Sequence, residues 1–205
     1  KVNKMINTIQ NALENSFSYA NYRKHVAQLI AIGQSTGHTQ SENLLHFSEL
    51  NETRMNRLEK TIAIIDEVKF KLENLDRNYI WLVIAEGWCG DAAQILPIIN
   101  KMSEVSEKID LKIVLRDDND ALMQRFLTNG GKAIPKLIML DAENLEIISD
   151  WGPRPKGAKQ LISDYKLEHG VIDETAKIEL QKWYLHDKGI STQNEIVQMH
   201  EQVLS

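Results

Sequence analysis

Apolar side chains in the first part of the chain recur every three to four residues, the spacing of one buried helix face. Tyr19, Tyr22 and Val26 follow this spacing in a segment that ends between Gly33 and Gly37. An earlier helix is predicted from about Lys4 to Asn15. Residues 1–75 contain no proline and only two glycines, so two or three packed helices are predicted there.

Two helix N-termini are predicted in the second half of this region. Thr39 is followed three residues later by Glu42, which resembles a capping box. Asn51 is a candidate N-cap for a further helix that carries Met55 and Leu58 on its apolar face.

The pattern changes at Tyr79, where an apolar run to Ala85 is typical of a strand buried on both faces. The elements predicted next, in chain order, are a helix from near Cys89 to about Lys108, a strand Leu111–Leu115, a helix Asn119–Asn129 and strands Lys136–Leu140 and Leu145–Ser149. Further helices are predicted at Lys159–Glu168, Thr175–His186 and about Thr192–Leu204. The order β-α-β-α-β-β indicates an α/β core between helical segments.

Composition excludes several functional classes. The formal charge is −5 and basic residues are scattered among acids, so no nucleic-acid partner is predicted. Apolar runs are too short to cross a membrane and no N-terminal segment resembles a signal peptide, so no membrane association is predicted.

The cysteine and histidine content narrows the chemistry further. Cys89 is the single cysteine, which excludes an internal disulfide and fits a reducing, cytoplasmic location. Any redox chemistry must therefore be monothiol. His46 and Glu49 form the only pair at helical spacing, and no metal site is predicted from them.

The segment Trp88-Cys89-Gly90 lies between the first predicted strand and a helix that contains Pro97, and about forty residues later Ile134-Pro135 opens another strand. This layout resembles the thioredoxin family. The resemblance covers roughly residues 76–165. It implies an α/β thioredoxin-like fold with a mixed central sheet, plus helical additions before and after it.

The resemblance also implies roles for individual residues. Cys89 corresponds to the family's nucleophile, while Ile134 and Pro135, with Pro135 in the cis form, would align a substrate backbone beside it. Gly152 falls where the family has a glycine that lines the substrate groove. Trp88 and Gly90 flank the nucleophile and are also predicted to contact the substrate.

The implied organisation has three parts. A helical N-terminal extension occupies residues 1–75, the thioredoxin-like domain 76–168 and a C-terminal helical segment 169–205. Such additions are similar to those of bacterial thioredoxin-like proteins of unassigned function. Their size suggests that they cover the groove, a hypothesis that requires Cys89 to be protected from solvent.

Two departures from the family pattern limit the chemistry. The position of the second, resolving cysteine is Ala92, and the position of a buried acid that assists proton transfer in many thioredoxins is Val83. A dithiol mechanism is therefore excluded, and a mixed disulfide at Cys89 would need an outside thiol for its release.

The predicted position of Cys89 at a helix N-terminus favours its thiolate and lowers its pKa, whereas Asp91 and Glu86 oppose this effect. Trp151 is predicted either to flank the groove with Trp88 or to belong to the core.

Positive charge is also predicted near Cys89. Lys132, Lys136 and Arg154 would supply it and suit a carboxylate-bearing low-molecular-weight thiol, although lysines at such positions are commonly only solvated.

Two functions remain open, and with them the question of whether the protein is an enzyme. The first is a monothiol thiol-disulfide oxidoreductase that needs no cofactor, acts on a protein disulfide or a low-molecular-weight thiol, and is resolved by an external thiol. The second is a redox-inactive module that binds a protein partner. Retention of Trp88, Cys89 and Pro135 favours the first, and the residues at Ala92 and Val83 favour the second.

Overall fold

The computed structural model describes residues 2–201. Helices α1 to α4 come first, at Val2–Glu14, Tyr19–Ala31, Glu42–Thr61 and Asp66–Glu73. The α/β part follows as β1 (Tyr79–Ala85), α5 (Gly90–Ser103), β2 (Ile109–Leu115), α6 (Asp120–Met123), β3 (Lys136–Asp141) and β4 (Ile147–Trp151). Helices α7 (Lys156–His169), α8 (Glu174–Asp187) and α9 (Ile190–Glu201) complete the described chain. The predicted helix end at Leu204 lies outside the described residues.

The four strands form one mixed sheet in the order β2-β1-β3-β4. Strand β1 is parallel to β2 and antiparallel to β3, which in turn is antiparallel to β4. Residues 81–85 of β1 are fully buried, because β1 is an inner strand with helices over both faces. The predicted order of strands and helices in this part is confirmed.

The helices before β1 differ from the prediction in one important respect. A single helix, α3, replaces the two predicted starts, and its N-cap is Ser41, whose hydroxyl accepts a hydrogen bond from Leu44 N–H. The predicted capping roles of Thr39 and Asn51 are therefore wrong. Asn51 lies buried in the middle of α3, where its side chain can reach the loop after β1.

Helix α6 is much shorter than the predicted Asn119–Asn129. It ends at Met123, and the chain then turns so that Thr128 and Gly131 pair through their backbones. Asn129 and Gly130 both adopt positive φ angles, which a helix does not allow.

One hydrophobic core joins all three predicted parts of the chain. Val26 from α2, Trp81 from β1 and Ile196 from α9 belong to the same cluster of buried residues. Among residues 2–201, no helix is both long enough and apolar enough to span a bilayer.

Candidate functional site

The turn between β1 and α5 places Cys89 at the N-cap of α5, where its Sγ accepts a hydrogen bond from Ala92 N–H over 3.4 Å. The turn is held from the N-terminal region. Gly87 N–H donates to Thr36 Oγ1 over 2.8 Å, and Asn51 Nδ2 donates to the Gly87 carbonyl over 3.0 Å. The predicted helix-terminal position of the thiol is confirmed.

The start of β3 lies directly against this cysteine. The Ile134–Pro135 peptide bond is cis, and the Cys89 thiol donates to the Ile134 carbonyl with an Sγ–O distance of 3.4 Å. Gly152 has a φ of +116°, and a Cβ there would lie 2.4 Å from the Pro135 carbonyl oxygen. Only glycine fits this backbone approach.

These neighbours of Cys89 are brought together and are also closed off. Ile134, Pro135 and Gly152 are all buried, and only 8% of Cys89 is exposed. The covering hypothesis therefore meets its minimum requirement, the protection of Cys89 from solvent.

Contacts from α9 help to hold this closed side. Glu195 accepts hydrogen bonds from Trp151 Nε1 and from the backbone N–H of Lys156, each over 2.8 Å. Trp151 is thus a core residue and does not flank a groove. Trp88 remains half-exposed, with the Arg116 guanidinium 4.9 Å from its ring centroid.

A polar cluster closes the first turn of α5. The Asp91 carboxylate pairs with Arg154, with Nη2–Oδ2 at 2.8 Å, and accepts a hydrogen bond of 2.6 Å from the Tyr184 hydroxyl of α8. Gln94 on the next turn donates to Gln181 over 2.7 Å. These contacts tie the C-terminal helices to the segment that carries Cys89.

The pKa of the Cys89 thiol is raised to about 12, mainly by burial and to a smaller extent by the charge of Asp91. The backbone N–H groups of Ala92 and Asp91 and the charge of Arg154 act in the opposite direction. The predicted lowering of the pKa is therefore wrong. The helix N-terminus does stabilise the thiolate, but desolvation of the charged sulfur is the larger effect.

The predicted cationic group near Cys89 is neutralised. Lys136 pairs with Asp150 at 2.8 Å and Lys132 pairs with Asp120 at 2.5 Å, while Arg154 pairs with Asp91. None of these three cations is left without a carboxylate partner, so they do not supply the predicted attraction for an anionic thiol.

An open groove lies on the other side of Cys89, between α3 and α8, with a volume of about 890 Å³. Its walls are mainly apolar. From α3 they comprise Leu44, His46, Phe47, Leu50, Thr53, Arg54 and Arg57, and from α8 Glu174, Lys177, Ile178, Leu180, Gln181, Lys182 and Leu185. Trp88, Cys89, Gly90, Asp91, Gln94 and Arg154 complete the lining.

The groove contains only part of the predicted site. Trp88, Cys89 and Gly90 line it, whereas Ile134, Pro135 and Gly152 do not. Sequence reasoning missed Arg54 and Arg57. Their spacing from Phe47 and Leu50 along one helix was the signal available, but nothing in the sequence indicated that α8 would lie opposite.

A sequence model of thioredoxins matches residues 37–166, well over half of the chain. The chain belongs to the thioredoxin family. The predicted thioredoxin-like α/β fold with helical additions is thereby confirmed. The match begins before α3, inside the predicted N-terminal extension.

Two solved structures share this fold. One is a protein of unknown function from Pseudomonas aeruginosa, with a TM-score of 0.59, 18% identity and coverage of 86% of this chain and 96% of that one. The other is an HIV epitope scaffold, with a TM-score of 0.55, 22% identity and coverage of 86% and 97%. No curated protein matches the chain.

Proposed function

We propose that this thioredoxin-family protein is a protein-binding module without redox activity, and that the groove between α3 and α8 is its binding surface. The observation that carries the proposal is the closure of the Cys89 environment. Ile134, Pro135 and Gly152, the residues expected to receive a substrate strand, are buried, while the adjacent groove is open.

The state of Cys89 supports this proposal. Thiol-disulfide exchange requires a thiolate that a disulfide can approach. With a pKa of about 12, only about one molecule in 10⁵ carries the thiolate at pH 7. Burial limits access to the sulfur at the same time.

The residue at position 92 also supports it. A mixed disulfide at Cys89 has no second thiol in the same chain to release it, because Cys89 is the single cysteine and Ala92 occupies the resolving position. Turnover would depend on an outside thiol that reaches a sulfur at the base of the turn.

A monothiol thiol-disulfide oxidoreductase is the second candidate, and one observation favours it. Cys89 lines the groove, and the Ala92 N–H already points at its sulfur. A partner that displaced α8 would expose a thiol at a helix N-terminus, where a thiolate is stabilised.

The rate of Cys89 alkylation by iodoacetamide, measured from pH 6 to 11 in the folded protein and in urea, tests the proposal. We expect the folded rate at pH 8 to be at least about a hundredfold below the unfolded rate, because both access and thiolate fraction are low. A folded rate close to the unfolded one, with an apparent pKa below about 8.5, would overturn the proposal and establish the monothiol alternative.

A matched pair of variants separates the effect of the Asp91 charge on the pKa of Cys89 from the effect of burial. Asp91→Asn removes the charge that raises the pKa of Cys89, whereas Tyr184→Phe removes only the hydroxyl that donates to Asp91. We expect Asp91→Asn to lower the apparent pKa of alkylation and Tyr184→Phe to leave it nearly unchanged. Circular dichroism of both variants checks that they are folded.

A further inference from the structure

The groove between α3 and α8 extends beyond the cavity of about 890 Å³ beside Cys89. Beyond Arg57 and Leu185 it meets a second apolar hollow of about 570 Å³, which these two residues also line. This hollow reaches Thr61 near the end of α3 and Ile190 at the start of α9. Helices α3 and α8 run in the same direction along the combined groove, because the later residues of each, Arg57 and Leu185, line the same end.

The lining residues follow helical spacing on both walls. On α3 they include Phe47, Leu50, Arg54, Arg57 and Thr61, a span of about 21 Å at 1.5 Å per residue. On α8 they include Glu174, Ile178, Gln181 and Leu185, a span of about 16 Å. The groove therefore has the length of about four helical turns.

Large apolar side chains along these walls are left in contact with solvent. Leu50 is 38% exposed, Ile178 54% and Leu185 51%. A continuous exposed apolar surface of this kind, bordered by polar residues, is typical of a binding site.

The charges of the groove are unbalanced on the α3 side. Arg54 and Arg57 have no carboxylate partner among residues 2–201, and burial together with the charge of Arg57 lowers the pKa of Arg54. On the α8 side, Lys177 and Lys182 pair with acids of their own helix, Glu174 and Glu179. The groove thus offers two unneutralised guanidinium groups on one wall only.

We propose that the α3–α8 groove binds an amphipathic helix of a partner protein, with its apolar face against Leu50, Ile178 and Leu185 and acidic side chains beside Arg54 and Arg57. This inference rests on the proposed binding function and names its partner class. The charge complementarity requires an anionic edge, and the length of the groove matches about 14 residues of helix.

The construction of the walls explains why the partner segment is helical. A segment that binds as a β-strand needs backbone donors and acceptors from its receptor, as at a free sheet edge. Both walls here are helices whose interior backbone groups already bond within the helix, so they offer few such partners. A helical segment satisfies its own backbone and presents only side chains to the groove.

The experiment selects ligands from a displayed library of 16-residue helical peptides with randomised surface positions, using the full chain as the target. We expect enriched peptides to carry apolar residues at three- and four-residue spacing and acids on one flank. Their dissociation constants are then measured by fluorescence anisotropy against the parent, Arg57→Glu and Arg125→Glu. Arg57 and Arg125 are both exposed, so the two variants have the same net charge, but Arg125 lies outside the groove.

We expect Arg57→Glu to weaken binding by about tenfold or more and Arg125→Glu to change it by less than about twofold, because Arg57, unlike Arg125, faces the ligand's acids. Equal binding to the two variants, or no enrichment of helical sequences, would overturn the inference. Binding of dodecanoate that is lost in Arg57→Glu, without peptide enrichment, would assign the groove to a small amphiphilic carboxylate instead.

A control with reducing agent distinguishes failure of this inference from failure of the proposed function. Peptide binding to the parent should be the same with and without dithiothreitol. Capture that depends on Cys89 and is reversed by dithiothreitol would contradict the redox-inactive function itself, whereas Arg57-independent binding contradicts only the acidic helical ligand.

Discussion

The two sides of the α5 N-terminus differ in how they meet solvent. On one side Ile134, Pro135 and Gly152 are buried and the Ile134 carbonyl accepts a hydrogen bond from Cys89, while Glu195 of α9 is bonded to the neighbouring β4–α7 segment. On the other side, α3 and α8 stand apart and leave an apolar groove. The helix N-terminus that carries Cys89 is therefore closed on one flank and bordered by a groove on the other.

The two sides also differ in the contacts that their residues make. The closed side combines a backbone contact at Gly152 that tolerates no added Cβ with hydrogen bonds from Trp151 and Lys156 to Glu195. The open side has exposed apolar groups and two guanidinium groups without carboxylate partners in the described chain. The first arrangement favours stability, and the second favours association.

The largest effect is expected on the closed side, from Gly152→Ala. The added Cβ would meet the Pro135 carbonyl oxygen at 2.4 Å in a φ region that alanine disfavours. We expect a loss of about 4 kcal/mol in the free energy of unfolding, measured by urea denaturation. Gly130→Ala is the control, since Gly130 also has a positive φ, of +77°, but has open space around it, and should lose only about 1 kcal/mol. Equal losses in both would show that the close contact relaxes easily.

Acid should loosen the α9 helix that supports the closed side. His200 is buried with its ring edge-on to Tyr79, neither ring nitrogen has a hydrogen-bond partner in the described chain, and burial lowers its pKa to about 4. It is therefore neutral when folded, whereas in the unfolded chain it takes up a proton below about pH 6.5.

The free energy of unfolding should consequently fall as pH decreases from about 6.5 to 4, by up to about 3 kcal/mol from this residue. Urea denaturation at pH 7 and pH 4 measures the fall. In His200→Leu the difference between the two pH values should be smaller by that amount, and an unchanged difference would exclude His200 as its source.

The smallest effect on stability is expected on the open side. Leu50→Ala should change the free energy of unfolding by less than about 0.5 kcal/mol, because Leu50 is already partly in water. Leu58→Ala, a buried leucine of the same helix, should cost about 3 kcal/mol. Only Leu50→Ala should weaken binding of the selected helical peptides while leaving stability intact. A large loss of stability in Leu50→Ala would mean that the groove wall belongs to the core.

The sequence predicted the elements that depend on local pattern. Strand β1 has the bounds expected from its apolar run, and α5 begins where Cys89 was expected to cap it. The Cys89 pKa could not be predicted in this way, because its largest cause is burial among segments distant in the chain. The helix-terminal effect is local, and so it alone was visible.

The same distinction explains the error at Asn51 and the omission of Arg57. Asn51 has the chemistry of an N-cap, but its amide bonds to Gly87, which is 36 residues away. Arg57 becomes part of a site only because α8, more than 100 residues later, forms the opposite wall. Neither contact can be predicted from short-range residue spacing, because each joins segments that are far apart in the chain.

The hydrogen bonds to the Gly87 backbone limit how this protein can be divided into fragments that keep their structure. Thr36 lies just before the segment that matches the thioredoxin family model, and it bonds the backbone that leads into Cys89. Tyr184 and Glu195, which lie beyond the end of that segment, bond to Asp91 and to Trp151 within it. The family segment is therefore not a detachable unit, and grafting it alone into another protein would transfer the motif without the environment that governs its thiol.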